Sequence, residues 1–198
     1  MEKLKFLCVI CIAAVAFSAG TRGQNRKADG LFPVRVKGKW GYINNAGKIV
    51  IKPQFDDADD FSDGLASVNK GRNWFYINSA GKEVLKGTFS GSEWSVGGGA
   101  FSEGLAPAPF ECSWGYINQA GETIVEPQFY AAGKFSEGLA SATPRNSHGK
   151  SGYINHEGQF VIEPQFDLAE DFSDGLAAVV IDKRWGFIDR TGRYVINL

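Results

Sequence analysis

The sequence is short of the residues on which much protein chemistry depends. Its 198 residues include 3 cysteines, 2 histidines and 1 methionine. So few thiols and imidazoles leave no material for a disulfide framework or a typical zinc site. An excess of charge of one sign is also lacking: 21 basic and 22 acidic side chains leave a formal net charge of −1. That balance argues against a dedicated nucleic-acid binder, which needs a clustered positive surface. Long apolar runs are missing except near the start, where residues 6–17 (FLCVICIAAVAF) carry no charge. Lys3 and Lys5 precede this run, and Ser18, Ala19 and Gly20 follow it. A basic start, a short apolar stretch and small residues are the layout of a secretory signal peptide. A membrane-crossing helix needs about 20 apolar residues, more than this run offers. Cys8 and Cys11 lie inside the run without a small residue before them, unlike a lipoprotein site.

The expectation is therefore a signal peptide over residues 1–20, a polar leader over 21–29, and a mature chain over 30–198. The mature chain is expected to be extracytoplasmic (periplasmic, cell-surface or secreted), with no membrane span after cleavage. Cleavage removes Glu2, Lys3, Lys5, Cys8 and Cys11, leaving Cys112 as the one cysteine. Packing, not an internal disulfide, must then hold the fold, and Cys112 reads as a small buried apolar residue.

What the sequence does have is glycine and phenylalanine. Glycines number 25, where average usage is about 7%. Of the aromatics, 15 are phenylalanine, 5 tryptophan and 6 tyrosine. These residues recur in phrases. Trp40-Gly41-Tyr42-Ile43-Asn44 returns as Trp74-Phe75-Tyr76-Ile77-Asn78 and Trp114-Gly115-Tyr116-Ile117-Asn118. It returns again as Ser151-Gly152-Tyr153-Ile154-Asn155 and Trp185-Gly186-Phe187-Ile188-Asp189. The steps between copies are 34, 40, 37 and 34 residues. Phe-Ser-(Asp/Glu)-Gly-Leu-Ala begins at Phe61, Phe101, Phe135 and Phe172, and Pro-Gln-Phe at Pro53, Pro127 and Pro164. Several phrases repeating in one order define a tandem array, with units near residues 30–63, 64–103, 104–137, 138–174 and 175–198.

Each phrase has a physical reading. Leu31 to Val36 and Trp40 to Asn44 read as two short strands about Lys37-Gly38-Lys39. A turn from Asn44 to Gly47 follows, and the Asn/Asp-x-x-Gly pattern recurs in every copy. A third strand, Lys48 to Lys52, is expected to stop at Pro53, which cannot donate to a ladder. Each unit thus reads as a three-stranded meander. In the connectors, Phe55, Ala58 and Phe61 are three apart, as are Phe129, Ala132 and Phe135, and Phe166, Ala169 and Phe172. That spacing predicts one or two helical turns flanked by acids. A single unit cannot bury its aromatic face, so the phenylalanines belong at contacts between stacked units.

On Lys39-Trp40-Gly41-Tyr42-Ile43, Pro53-Gln54-Phe55 and Phe61-Ser62-Asp63-Gly64-Leu65-Ala66, the chain resembles the WG-repeat family, also called KWG repeats. The resemblance covers residues 30–198. It implies an array of β-hairpin repeats, common in bacterial proteins, with no shared catalytic residues. The departures are Phe75 for the glycine, Ser151 for the tryptophan, and no Pro-Gln-Phe in the second unit.

Chemistry is sparse. The acidic connectors, with Asp56, Asp57, Asp59, Asp60 and Asp63 in one and Asp167, Glu170, Asp171 and Asp174 in another, offer oxygens that calcium could use. Phe61 breaks an EF-hand frame, so these acids read as solvating groups at a short helix. Gly149-Lys150-Ser151 lacks the first glycine of a phosphate loop, since Pro144 stands there. His148 and His156 fall in turns and read as exposed. No catalytic residue, metal ligand set or cofactor site emerges. The second unit holds the longest connector, and its Ser90–Gly99 stretch carries the off-pattern Trp94, the candidate partner-binding residue.

The expected molecule is an all-β open array of five three-stranded repeats with short helical connectors, not a closed propeller. The expected function is an exported, non-catalytic binding or scaffolding module for a protein or glycan. The alternatives are an envelope protein without a discrete ligand and a glycan-active hydrolase.

Overall fold

The computed structural model describes residues 30–71, 73–86 and 98–197. The residues expected to form the signal peptide and leader, and Trp94, lie outside them. The described residues form seventeen strands and no helix. The first unit holds β1 (Leu31–Val36), β2 (Lys39–Asn44) and β3 (Ile49–Phe55); the second holds β4 (Asp57–Ala58), β5 (Leu65–Lys70), β6 (Asn73–Asn78) and β7 (Glu83–Lys86). Next come β8 (Leu105–Phe110), β9 (Ser113–Asn118) and β10 (Thr123–Ala132), then β11 (Ala140–Pro144), β12 (Ser151–Ile154) and β13 (Phe160–Phe166). The fifth unit holds β14 (Leu168–Ala169), β15 (Leu176–Ile181), β16 (Arg184–Asp189) and β17 (Tyr194–Asn197).

All pairing is antiparallel between sequence neighbours, in sheets of three, four, six and four strands. The six-stranded sheet joins the third and fourth units because β10 leaves one and enters the other, with a register break between Phe129 and Ala131. Among the described residues no strand of the first unit pairs with one of the fifth, and the sheets do not close.

The helical connectors expected from the three-residue spacing do not form. The connector backbone bonds instead to the first long strand of the following unit: Asp56 N donates to Asn69 O (2.8 Å) and Asp59 N to Ser67 O (3.0 Å). Asp167 N to Val180 O (2.7 Å) and Glu170 N to Ala178 O (3.0 Å) repeat the pattern. An available ladder edge outweighs the weak helical tendency of so short a segment. The connector therefore adds a fourth strand to the next unit, as in the sheets β4-β5-β6-β7 and β14-β15-β16-β17.

Two turns close each unit. Asn44 Oδ1 accepts from Ala46 N and Lys48 N (both 3.0 Å), and Asn78, Asn118, Asn155 and Asp189 do equivalent work. The Phe-Ser-(Asp/Glu)-Gly phrase makes a two-residue hairpin in which both central residues have positive φ: Asp63 51° and Gly64 81°, Glu137 55° and Gly138 80°. That is the type I′ geometry which suits the twist of paired strands. The acid at each tip reaches the next tip. Asp63 Oδ2 accepts from Gly104 N, Glu103 Oε2 from Gly138 N and Glu137 Oε2 from Gly175 N, each at 3.0 Å. These acids tie unit to unit and do not solvate a helix.

The core is four clusters, one at each junction between units. At each, a buried tyrosine meets the connector phenylalanine: Tyr42 with Phe61, Tyr76 with Phe101, Tyr116 with Phe135 and Tyr153 with Phe172, at centroid distances of 4.8–4.9 Å. Each tyrosine hydroxyl also donates to a connector carbonyl, of Asp59, Gly99, Gly133 and Glu170 respectively, at 2.7–2.8 Å. Burial, aided by nearby acids, pushes the pKa of all four hydroxyls up, so they stay donors. The fifth unit has Phe187 at this position and no connector after it among the described residues.

Pro53 does not end its strand. β3 runs on to Phe55, and Lys52, Pro53 and Gln54 lie opposite the single residue Gly41, between the pairs Tyr42–Ile51 and Trp40–Phe55. Proline is tolerated in such a bulge because no ladder bond is asked of it. The bulge also explains the glycine of Trp-Gly. A Cβ at Gly41 would lie 2.5 Å from Ile51 O and 2.6 Å from Pro53 N; at Gly115 it would lie 2.5 Å from Val125 O.

Candidate ligand-binding cleft

The second unit departs from this plan on the face turned toward the first. Phe75 replaces the glycine, and it pairs directly with Lys86, in a ladder whose register shifts between Tyr76 and Ile77. A side chain at Gly41 would meet the kinked backbone of β3, and the unit that carries Phe75 also lacks Pro-Gln-Phe. The Phe75 ring packs against Phe55 of the first unit at 6.0 Å and 68°.

Between these units lies a cleft of about 670 Å³, within the usual range for small-ligand sites. The first unit contributes Gln54 and Phe55; the hairpin of β5 and β6 contributes Lys70, Asn73, Trp74 and Phe75; the second turn and β7 contribute Gly81, Glu83 and Lys86. Trp74 is half-buried, while Lys70, Asn73, Glu83 and Lys86 are exposed. With its amide oriented to satisfy both neighbours, Asn69 accepts from Trp74 Nε1 and donates to Gly71 O, both at 3.1 Å. This bond holds the indole at the cleft wall.

Asp56 braces the same wall. It accepts from Gly71 N at 2.7 Å and pairs with Lys39, and these two contacts hold its carboxyl below the usual carboxylate range. Asp167 repeats the arrangement at the junction of the fourth and fifth units, with Lys150 at 2.5 Å and Asp182 N at 2.8 Å. Asp171 pairs with Lys134 at 3.1 Å. Asp56, Asp167 and Asp171 are thus engaged with neighbouring backbone or lysines. No group of three or more His, Cys, Asp or Glu side chains among the described residues is arranged to hold a metal ion. Asp59 is different: desolvation and its neighbours Asp57 and Asp60 push it up to about 6.

Other residues singled out in the sequence are scattered. Cys112 is exposed in the turn between β8 and β9, not buried, because its side chain points from a hairpin tip. His148 is exposed, as expected, in the turn before β12. His156 is not: it stacks on Phe135 at 4.3 Å, with Nε2 3.1 Å from Glu103 Oε2. Its turn abuts the preceding tip, which gives the ring an aromatic neighbour. In Gly149-Lys150-Ser151, Lys150 is held by Asp167 and Ser151 Oγ lies 2.7 Å from Thr143 Oγ1, so this stretch cradles no phosphate. The cleft residues Trp74 and Phe75 were visible only as an irregular copy of the repeat.

No helix among the described residues is long and apolar enough to cross a membrane. Residues 40–74, 114–143, 152–185 and 185–198 match the family model for the WG containing repeat. No curated protein matches the chain. Among solved structures, Kluyveromyces lactis Hsv2p is similar in fold: TM-score 0.56 at 8% identity, over 84% of this chain and 59% of that one. A streptogramin B lyase has TM-score 0.50 at 15% identity, over 85% and 65%. A eukaryotic initiation factor has 0.52 at 10%, over 84% and 52%. These similar structures are β-propeller-like, whereas the sheets here do not close. The chain spans about three fifths of the length of Hsv2.

Proposed function

The chain belongs to the WG-repeat family, and from that premise we propose that it is an exported, non-catalytic binding module whose ligand is a glycan held in the cleft between the first two units. The observation that carries this reading is the lining of that cleft. The indole of Trp74, the half-buried Phe75 ring and the carboxamides of Gln54 and Asn73 combine apolar surface with neutral hydrogen-bonding groups, the pairing that stacks on a sugar face and reads its hydroxyls. One carboxylate, Glu83, lines the cleft, whereas glycoside hydrolysis ordinarily uses two that flank the bond. The basic, apolar, small-residue order of residues 1–20 supports export. A protein partner and a purely structural envelope role are the other readings.

Calorimetric titration of the purified chain with oligosaccharides from cell-wall and extracellular polysaccharides tests the proposal. A saturable heat with at least one glycan, lost in Trp74→Ala and without product formation, is the expected result. Binding that survives Trp74→Ala places the ligand elsewhere, turnover makes the chain an enzyme, and silence across the panel leaves the protein-partner and structural readings.

A further inference from the structure

The cleft between the first two units carries charges that the repeat itself does not call for. The strands β1, β5, β8, β11 and β15 end at Val36, Lys70, Phe110, Pro144 and Ile181, so the second unit alone ends this strand on a charge. The strands β3, β7, β10, β13 and β17 begin at Ile49, Glu83, Thr123, Phe160 and Tyr194, and again the second unit alone is charged. Lys70 and Glu83 both line the cleft, together with Lys86. A charge that four equivalent positions do without is not needed to fold or stack a unit. The second unit is also the one with Phe75 in place of glycine, so its irregular ring and its irregular charges share one surface.

The balance of these charges is positive. Asp56, beside Lys70, accepts from Gly71 N and pairs with Lys39, so its carboxyl already answers one lysine. Glu83 stands 3.9 Å from Lys86, too far for a hydrogen bond, and the Lys86 side chain is 78% exposed. The N–H donors of Lys86 are therefore not spent on Glu83. Around this wall three lysines, Lys39, Lys70 and Lys86, stand with two carboxylates, Asp56 and Glu83. One cation is in excess beside the Trp74 indole and the carboxamides of Gln54 and Asn73. We propose that the cleft selects a glycan that carries a carboxylate, a uronic-acid oligosaccharide, whose acid group is drawn by the Lys70 and Lys86 ammonium groups. This rests on the reading of the cleft as a glycan site and adds the class of sugar. The lysines are exposed, so each contributes modestly and salt screens the attraction. Contacts from the indole and the amides, which a neutral sugar shares, are not screened in this way. The preference for an acidic over a neutral sugar is therefore the salt-dependent part of binding, and Glu83 opposes it.

Calorimetric titration of the purified chain with trigalacturonic and triglucuronic acid, each beside its methyl ester, tests the selection. Acid and ester share the sugar and the length and differ in charge. At low salt one of the acids should bind at least about fivefold more tightly than its ester, and about 0.5 M sodium chloride should remove most of that preference. Lys70→Gln and Lys86→Gln, with folding checked by circular dichroism, should each cut the preference for the acid by about two- to fivefold. Glu83→Gln should raise that preference by a similar factor, an effect that loss of a merely structural contact would not produce. Esters that bind as tightly as the acids overturn the inference, and so does a preference untouched by salt and by both lysine variants. If the acids and esters are silent while a neutral oligosaccharide binds, the inference fails and the glycan reading stands. If no oligosaccharide binds, both fail.

Discussion

The second and third units descend from the same phrase and differ in one strand pair. In the third, Gly115 lies under the Val125 and Pro127 backbone, the strand opposite it bulges, and Phe129 is delivered into a junction with Phe135 and Tyr116. In the second, Phe75 stands over a ladder that continues to Lys86, and the side chain fills space toward the first unit. The regular unit uses its bulge to close a junction. The irregular one leaves a cleft walled by aromatic rings and amides. A repeat array therefore gains an individual surface by losing a rule, and the loss is a coupled one.

Several substitutions break or sharpen this contrast. The largest effect belongs to a regular junction: Phe135→Ala removes a fully buried ring and should cost about 3–5 kcal/mol, read by urea unfolding. Next is the inserted methyl. Gly115→Ala forces a Cβ against backbone and should cost about 1–3 kcal/mol, whereas Phe75→Leu, where room for a side chain exists, should cost less than about 1.5 kcal/mol. Smaller again is Tyr116→Phe, which leaves Gly133 O without its donor and should cost about 1 kcal/mol. Phe187→Tyr in the fifth unit should gain nothing by the same measurement.

A further effect depends on pH. Asp59 is raised to about 6, so the folded state favours its protonated form. As pH rises from the ordinary carboxylate range through 6, the unfolded chain ionises more readily than the folded one, and Asp59 takes stability away. Asp59→Asn should therefore raise the melting temperature at pH 7 to 8, with the gain fading below about pH 4, where Asp59 is neutral in both states.

Much of the fold was legible because its signals are local. The Asn/Asp-x-x-Gly turns, the Phe-Ser-(Asp/Glu)-Gly hairpin and the five copies each follow from residues close in sequence. The connectors were not, because Phe55, Ala58 and Phe61 satisfy a helical spacing while their backbone is claimed by β5, a partner seven or more residues away. Pro53 misled for a related reason: a proline stops a regular ladder but sits comfortably in a bulge. Tyr42 and its equivalents read as strand aromatics, and nothing local shows that each hydroxyl is spent on a carbonyl 17 residues on, or 23 in the second unit. The cleft was half visible. The departures at Phe75 and at Pro-Gln-Phe were plain in the sequence, but their coupling required the distance between a glycine and the opposite strand.

That coupling is tested most directly in the third unit, by unfolding free energies of wild type, Gly115→Ala, Pro127→Gly and the double variant. Relaxing the proline should make room for the methyl, so the double variant should be more stable than the two single losses predict, by more than about 0.5 kcal/mol. Losses that simply add would contradict the account, leaving the glycine and the bulge as independent features.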